Sequence, residues 1–242
     1  MSSIAVRRGL DTSLLMALIL STPLSASWAE GISSDKRTFE ALSGQVVLDN
    51  DRVSVERYSI PPGQSTGRRN SGSNELLVFI KGGVLRSEAT GRAVLWRDGR
   101  VVWHDAAEKS SGGSVNAGKT PIEVVVVRLK PHTRSAASVA SRPVSYPNVA
   151  GEDLLENDYV LVQRFELQPG QWEGPHGHGP NSLWIFIRGG RGAERRKGTP
   201  EHREVFRDGE VGWMPAVDPA LEHESGNLDS HPSNWLWVTL KE

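Results

Sequence analysis

Three histidines in the C-terminal half of the chain have the residue type and spacing that can bind a metal ion. His176 and His178 are separated by one residue in a Gly/Pro-rich run, and His223 follows 45 residues later. Residues two apart in an extended chain point to the same face, so the first two imidazoles can act together. Two imidazoles from one strand and a third from another can hold a divalent ion with open positions. For the His-x-His pair alone, a polar turn without metal is the alternative interpretation.

Composition narrows the function classes that this chain can serve. The 28 basic and 29 acidic residues leave a net charge of -1, which argues against a nucleic-acid partner. The chain has no cysteine, so it can use neither disulfides nor thiolate ligands. Any bound metal must therefore be held by His, Asp, Glu or backbone oxygens.

The first residues have the pattern of an export signal. Arg7 and Arg8 precede a short apolar run, "LLMALIL", and a small-residue stretch that ends at Ala29. This order predicts a signal peptide over residues 1–29 and a periplasmic or secreted protein. Because the apolar run is too short to cross a bilayer comfortably, no stable membrane insertion is expected.

The remainder of the chain contains an internal repeat. "NDRVSVERYSIPPGQ" begins at residue 50 and "NDYVLVQRFELQPGQ" at residue 157, an offset of 107. "LLVFIKGG" and "LWIFIRGG" follow at the same offset, and "LWRDGRVVW" and "VFRDGEVGW" follow at an offset of 110. Matches that recur in the same order at nearly constant offset indicate a tandem duplication.

Each repeat unit reads as short strands separated by Gly/Pro turns, with an Asp-Gly hairpin signal in the repeated "RDG". Such a pattern is typical of an all-β sandwich or barrel. We therefore predict two tandem β-barrels. The predicted segments after the signal peptide are an N-terminal arm (30–44), a first barrel (45–132), a linker (133–152) and a second barrel (153–242).

Residues 45–242 resemble the cupin superfamily. The first cupin motif, G-x5-H-x-H-x3,4-E-x6-G, has a serine in place of its glutamate and reads Gly170, His176, His178, Ser182, Gly189. The second motif is in register at Gly212, His223 and Asn227, whereas its proline and second glycine depart at Pro219 and Ala220. The resemblance implies a bicupin with two double-stranded β-helix barrels, and His176, His178 and His223 as metal ligands in the second.

The missing glutamate makes this site similar to that of three-histidine cupins, which include dioxygenases. That resemblance favours Fe²⁺, with Cu²⁺, Ni²⁺, Zn²⁺ and Mn²⁺ also compatible with imidazole ligands. Three neutral ligands leave the charge of the ion uncompensated, which favours a small anionic substrate. The favoured function is an exported metal-dependent oxygenase. The alternatives are a metal-dependent lyase or isomerase and a non-catalytic ligand-binding cupin. The sequence assigns no catalytic residue. A homo-oligomer is compatible with the family.

Several neighbours of the motif are candidates for the site. If the strand after His178 is regular, Ser182, Trp184 and Phe186 share its face, and Trp172 precedes the motif in a loop at the mouth. Acidic replacements for the missing ligand are Glu173, which strand alternation would turn away, and Asp218.

The first unit keeps the scaffold of the motif but not its histidines. At the same spacing it has Arg69, Ser71 and Glu75, and Gly113 stands where the third histidine would be. We therefore expect a first barrel without metal. Glu75 is interpreted as a solvated strand residue, with binding of a sugar hydroxyl or a cation as the alternative.

Overall fold

The regular structure consists of β-strands in all the residues that the computed structural model describes, namely 38–69, 72–108, 112–131, 143–214 and 223–241. In these ranges no helix has the length and apolar character that a membrane span requires. The all-β prediction is confirmed for this part of the chain. The predicted signal peptide, like Ser71, Asp218 and Pro219, lies outside the described residues.

The first repeat unit folds into two antiparallel sheets. Its strands are β1 (Gln45–Asp49), β2 (Val53–Ile60), β3 (Glu75–Lys81), β4 (Gly83–Ser87), β5 (Ala93–Trp96), β6 (Val101–His104), β7 (Ser114–Asn116) and β8 (Ile122–Leu129). Five of them form a sheet in the order β1-β2-β8-β3-β6, and three form a smaller sheet in the order β5-β4-β7.

The second unit repeats this arrangement strand for strand. Its strands are β9 (Glu152–Glu156), β10 (Val160–Leu167), β11 (Ser182–Arg188), β12 (Gly190–Arg196), β13 (His202–Phe206), β14 (Val211–Met214), β15 (His223–Asn227) and β16 (Ser233–Leu240). The sheet orders are β14-β11-β16-β10-β9 and β13-β12-β15, which match those of the first unit. The tandem repeat seen in the sequence is therefore a repeat of two-sheet barrels.

The repeated "GG" and "RDG" segments belong to one local structure in each barrel. The Asp98 carboxylate accepts a hydrogen bond from the Gly82 backbone N–H at 2.7 Å, and Asp208 accepts one from Gly189 at 2.9 Å. A Cβ at Gly189 would lie 2.2 Å from the carbonyl oxygen of Phe206, so only glycine fits there. These contacts explain why both glycine and aspartate recur at constant spacing.

The two barrels share one apolar core, formed where their five-stranded sheets pack against each other. Strand alternation directs one face of each sheet into this core. Its buried members are Val53, Val55, Leu76, Val78, Ile80, Val101, Val125 and Val127 from the first barrel, and Val160, Val162, Leu183, Ile185, Ile187, Leu236, Val238 and Leu240 from the second.

The opposite faces line the barrel interiors, and a short segment ahead of the first strand covers each one. Phe39 packs edge-on against Tyr58 at 5.0 Å, and Tyr146 packs in the same way against Phe165 at 4.6 Å. Both pairs are related by the offset of 107. Described residues of the predicted arm and linker thus pack inside the barrels and extend the repeat upstream.

The shared core predicts that the two barrels unfold together. Leu236 is fully buried in this core. Its replacement by alanine should lower the free energy of unfolding by about 2–5 kcal/mol. The matched control is Leu95→Ala, at a leucine that is 65% exposed, and it should change stability by about 0.5 kcal/mol or less. Urea unfolding followed by tryptophan fluorescence measures both; equal losses, or two separate transitions, would contradict the shared core.

Candidate metal centre

The structure brings the three predicted histidines together inside the second barrel. His176 and His223 lie side by side on neighbouring antiparallel segments, which are joined by two backbone hydrogen bonds of 2.9 and 3.2 Å. The ring centroids of His176 and His223 are 4.5 Å apart, those of His178 and His223 are 5.3 Å apart, and those of His176 and His178 are 6.2 Å apart. All three side chains are buried, at 5–8% exposure.

Hydrogen bonds orient two of the rings and leave nitrogens facing the barrel interior. His176 Nδ1 lies 3.0 Å from the Gly174 carbonyl oxygen, and His223 Nδ1 lies 3.1 Å from Glu194 Oε1. Because these oxygens accept, each Nδ1 carries a hydrogen, which leaves Nε2 as the ring nitrogen that can bind an ion. Among the described residues, the Nε2 atoms of His178 and His223 have no hydrogen-bond partner although they are buried. Buried ring nitrogens of this kind are suited to bind an ion.

Burial also sets the protonation state that metal binding requires. Desolvation lowers the pKa of His176 to about 4 and that of His178 to about 4, and the neighbouring His223 contributes in the same direction. Both imidazoles are therefore neutral at pH 7. Only a neutral imidazole can donate a lone pair to a metal ion.

The histidines line a cavity of about 180 Å³. Aromatic side chains of the second barrel line much of its wall: Tyr146, Trp184, Phe186, Phe206, Trp235 and Trp237. Trp184 and Phe186, predicted as pocket-lining residues, are thus in this wall. They alternate along β11 with Leu183 and Ile185, which face the shared core.

Two residues predicted to line the pocket do not line this cavity. Ser182 begins β11, is 2% exposed and lies between its strand partners Met214 and Thr239. The indole of Trp172 lies over the backbone of Gly226, and the Arg195 guanidinium stacks on it at 3.5 Å. The Ser182 side chain is therefore enclosed at the end of β11, and the Trp172 side chain packs against the outside of β15.

Glu173 lines the cavity, so the prediction that strand alternation turns it away is wrong. The chain is not a regular strand there, because Gly174 has φ +87° and breaks the alternation. Glu173 is 5% exposed, and its Oε2 lies 4.0 Å from His176 Nε2. Burial raises the pKa of this carboxyl to about 8. Asp218, the other acidic candidate, lies outside the described residues.

Sequence reasoning missed Glu194 and Tyr146. Glu194 lies on β12, where its neighbour Arg196 is the strand partner of His223, and its carboxylate accepts from the His223 ring. Tyr146 packs edge-on against His176 with ring centroids 4.5 Å apart. The offset of 107 from Phe39 is a signal that could have placed Tyr146 in the barrel, whereas nothing in the sequence pairs Glu194 with His223.

The residues present fit a metal ion in type, with one distance that is wider than a closed site requires. Among the described residues, no three His, Asp or Glu side chains stand in a finished metal-binding geometry. Imidazole nitrogens about 2.1 Å from one ion place neighbouring ring centroids roughly 4.5–5.5 Å apart. Two of the three histidine pairs meet this spacing, and the His176–His178 pair, at 6.2 Å, would have to close. Neutral imidazoles and a nearby carboxylate suit Fe²⁺, Zn²⁺, Mn²⁺ and related ions.

The equivalent centre of the first barrel holds a network of charged side chains. Glu75 is 1% exposed, so the expectation of a solvated residue is wrong. Its Oε1 accepts hydrogen bonds from Thr38 Oγ1 at 3.0 Å and Arg128 Nε at 3.2 Å, and Arg69 Nη1 lies 3.6 Å from its Oε2. Arg69 is the repeat equivalent of His176, so the first barrel has a positively charged guanidinium where the second barrel has an imidazole.

Comparison with known proteins supports the fold. No family model and no curated protein sequence matches the chain. The solved structure of AerE from Microcystis aeruginosa is 10% identical, with 83% of this chain and 98% of that chain covered and a TM-score of 0.55. A variant of salicylate 1,2-dioxygenase from Pseudoaminobacter salicylatoxidans, in complex with gentisate, is 10% identical over 82% and 74% of the two chains, with a TM-score of 0.55. A variant of Bacillus subtilis oxalate decarboxylase is 10% identical over 82% and 72%, with a TM-score of 0.52.

These likenesses confirm the predicted fold. With its repeated two-sheet units, this chain has the cupin fold in the two-barrel form of bicupins. At such low identities the comparison establishes the fold alone.

The network in the first barrel predicts a large cost for neutralising Glu75. Glu75→Gln leaves two buried or half-buried guanidinium groups without their shared carboxylate, which should cost about 3–5 kcal/mol of stability. Glu108→Gln is the matched control, because Glu108 also contacts Arg69, at 3.2 Å, but its side chain is 46% exposed. It should cost about 1 kcal/mol or less. Thermal and urea unfolding measure both variants; similar small losses would show that Glu75 is not needed to balance the guanidinium charges.

Proposed function

We propose that this chain is a metal-dependent cupin whose second barrel binds one divalent ion through His176, His178 and His223. The observation that carries the proposal is the convergence of three buried imidazoles on one cavity, with the Nε2 atoms of His178 and His223 free of hydrogen bonds to described residues. Desolvation already keeps the rings of His176 and His178 neutral, so these two side chains can bind an ion at pH 7 without losing a proton. Fe²⁺ is the favoured ion, and Cu²⁺, Ni²⁺, Zn²⁺ and Mn²⁺ are compatible with the same ligands.

The substrate that fits the cavity is a small organic anion with a flat apolar part. An apolar cavity of about 150 Å³ holds benzene, so about 180 Å³ has room for one substituted ring. The aromatic wall can pack against such a ring. Arg191 lines the cavity; its Nε lies 3.7 Å from Asp229, and its side chain is 64% exposed and can attract an anion.

The favoured reaction is an oxygenation, with a bound metal ion supplying Lewis acidity and a site where substrate and oxygen meet. Glu194 accepts from His223 Nδ1 and so directs its Nε2 inward, and Tyr146 packs against His176 and limits its rotation. The aromatic wall excludes water from the substrate. The similar dioxygenase structure that contains gentisate supports this reaction class, and Mn(II) centres in oxalate decarboxylase from Bacillus subtilis support metal binding by this fold.

We also propose that the protein is exported. The support is in the sequence: two early arginines, a short apolar run, and a small-residue stretch ending at Ala29.

Metal analysis of purified protein tests the proposed function. Wild type should contain about one ion per chain after growth in mixed metals or after titration, and a His176→Ala/His178→Ala variant should contain almost none. His104→Ala/His202→Ala is the matched control, because these two histidines lie outside the cavity, and it should bind as wild type does. The measurement is elemental analysis by mass spectrometry.

Two results would contradict parts of the proposal. If wild type takes up no ion, or if the His176→Ala/His178→Ala variant binds as much as wild type, the second barrel is not a metal site. If the ion binds but the loaded protein consumes no oxygen with small aromatic acids such as gentisate and salicylate, the oxygenase assignment is wrong and a lyase, isomerase or ligand-binding role replaces it.

A further inference from the structure

We propose that Glu173 is a fourth ligand of the ion in the second barrel and replaces, from the loop before His176, the glutamate that the cupin motif has at position 182. This inference rests on the proposed function, since it assigns a further ligand to the same ion. It differs from the motif in the direction of approach, because Glu173 precedes the histidine pair and Ser182 follows it.

The backbone around Glu173 holds its side chain inside the barrel. The Glu173 N–H donates to the Ser225 carbonyl at 2.9 Å, and its own carbonyl accepts from the Asn148 N–H at 2.9 Å. The Ser225 N–H donates in turn to Glu173 Oε2 at 3.1 Å. Gly174 then turns the chain with φ +87°, so that Glu173 and His176 both face the cavity. The Glu173 carboxylate is thus held against Ser225 of β15, and Ser225 is two residues from His223.

The distance between Glu173 and His176 suits two ligands of one ion. Glu173 Oε2 and His176 Nε2 are 4.0 Å apart, too far for a hydrogen bond. Two atoms that bind the same ion at about 2.1 Å each stand roughly 3–4.2 Å apart, depending on the angle between them. The 4.0 Å separation of Glu173 Oε2 and His176 Nε2 lies within this range, so both could bind one ion.

Charge favours the same assignment. Glu173 is 5% exposed, and in the described part of the chain its one ion-pair contact is with His176, at 4.0 Å. Nearby arginines have other partners: Arg195 is stacked on Trp172 and contacts Glu201 and Glu224, and Arg191 contacts Asp229. A carboxyl buried without a cation favours its neutral form, and a divalent ion would instead stabilise the ionised form that can bind it.

A carboxylate ligand also narrows the substrate class. Three neutral imidazoles and one carboxylate leave a divalent ion with one positive charge. A monoanion, such as a monocarboxylate with an aromatic ring, would neutralise it, whereas a dianion would leave an excess negative charge in a water-poor cavity.

Co²⁺ titration followed by visible absorption tests the ligand, because the cobalt bands report the donor set directly. Full-length wild type should bind Co²⁺, and Glu173→Gln should weaken binding by about tenfold to a hundredfold and change the position and intensity of the bands. Glu224→Gln is the matched control: it is the same substitution beside His223, at a side chain that does not line the cavity. It should keep the affinity and spectrum of wild type.

The outcomes separate this inference from the proposed function. If wild type and Glu173→Gln bind Co²⁺ with equal affinity and identical spectra, and His176→Ala/His178→Ala does not bind, Glu173 is not a ligand while the histidine site stands. If wild type itself does not bind, the proposed function fails first. Should Glu173→Gln not fold, paramagnetically shifted proton resonances of Co²⁺-loaded wild type decide: a glutamate methylene pair beside the imidazole signals supports the inference, and imidazole signals alone contradict it.

Discussion

Face-to-face packing of the two five-stranded sheets is the constraint on which the rest of this molecule depends. Because successive strand residues point to opposite sides, filling one side with Leu183, Ile185 and Ile187 commits the other side of β11 to the barrel interior. The same alternation on β16 places Trp235 and Trp237 in the wall of the histidine cavity. The shared core thus determines which side chains can reach the candidate site, although it contains none of the site's residues.

The two barrels have the same fold but pair their buried charges in different ways. Both barrels bury polar side chains at equivalent positions, and buried charge must be paired. In the first barrel, Glu75 is paired with Arg69 and Arg128. In the second, Glu173 lies 4.0 Å from His176, and we assign the balancing charge to a metal ion.

Much of the fold and part of the site could be predicted from the sequence, for physical reasons that can be named. Repeated Gly and Asp residues at constant spacing mark turns with strict steric demands, and the His-x-His pair at the entry to a strand led to the cavity. Strand alternation predicted the wrong direction for the Glu173 side chain, because the positive φ of Gly174 interrupts the regular strand. Burial of Glu75 was missed because its partners Arg69 and Arg128 are brought to it by tertiary structure alone, and the same holds for Glu194 beside His223.

The most direct test of a single metal centre is an anomalous diffraction experiment on crystals of the protein loaded with Zn²⁺ or Fe²⁺. One metal centre per chain predicts a strong anomalous peak in the second barrel, about 2.0–2.2 Å from nitrogens of His176, His178 and His223. It predicts no such peak beside Arg69 and Glu75 in the first barrel. A second barrel without a peak, or an equal peak in the first, would contradict the assignment of one metal centre to one of two duplicated barrels.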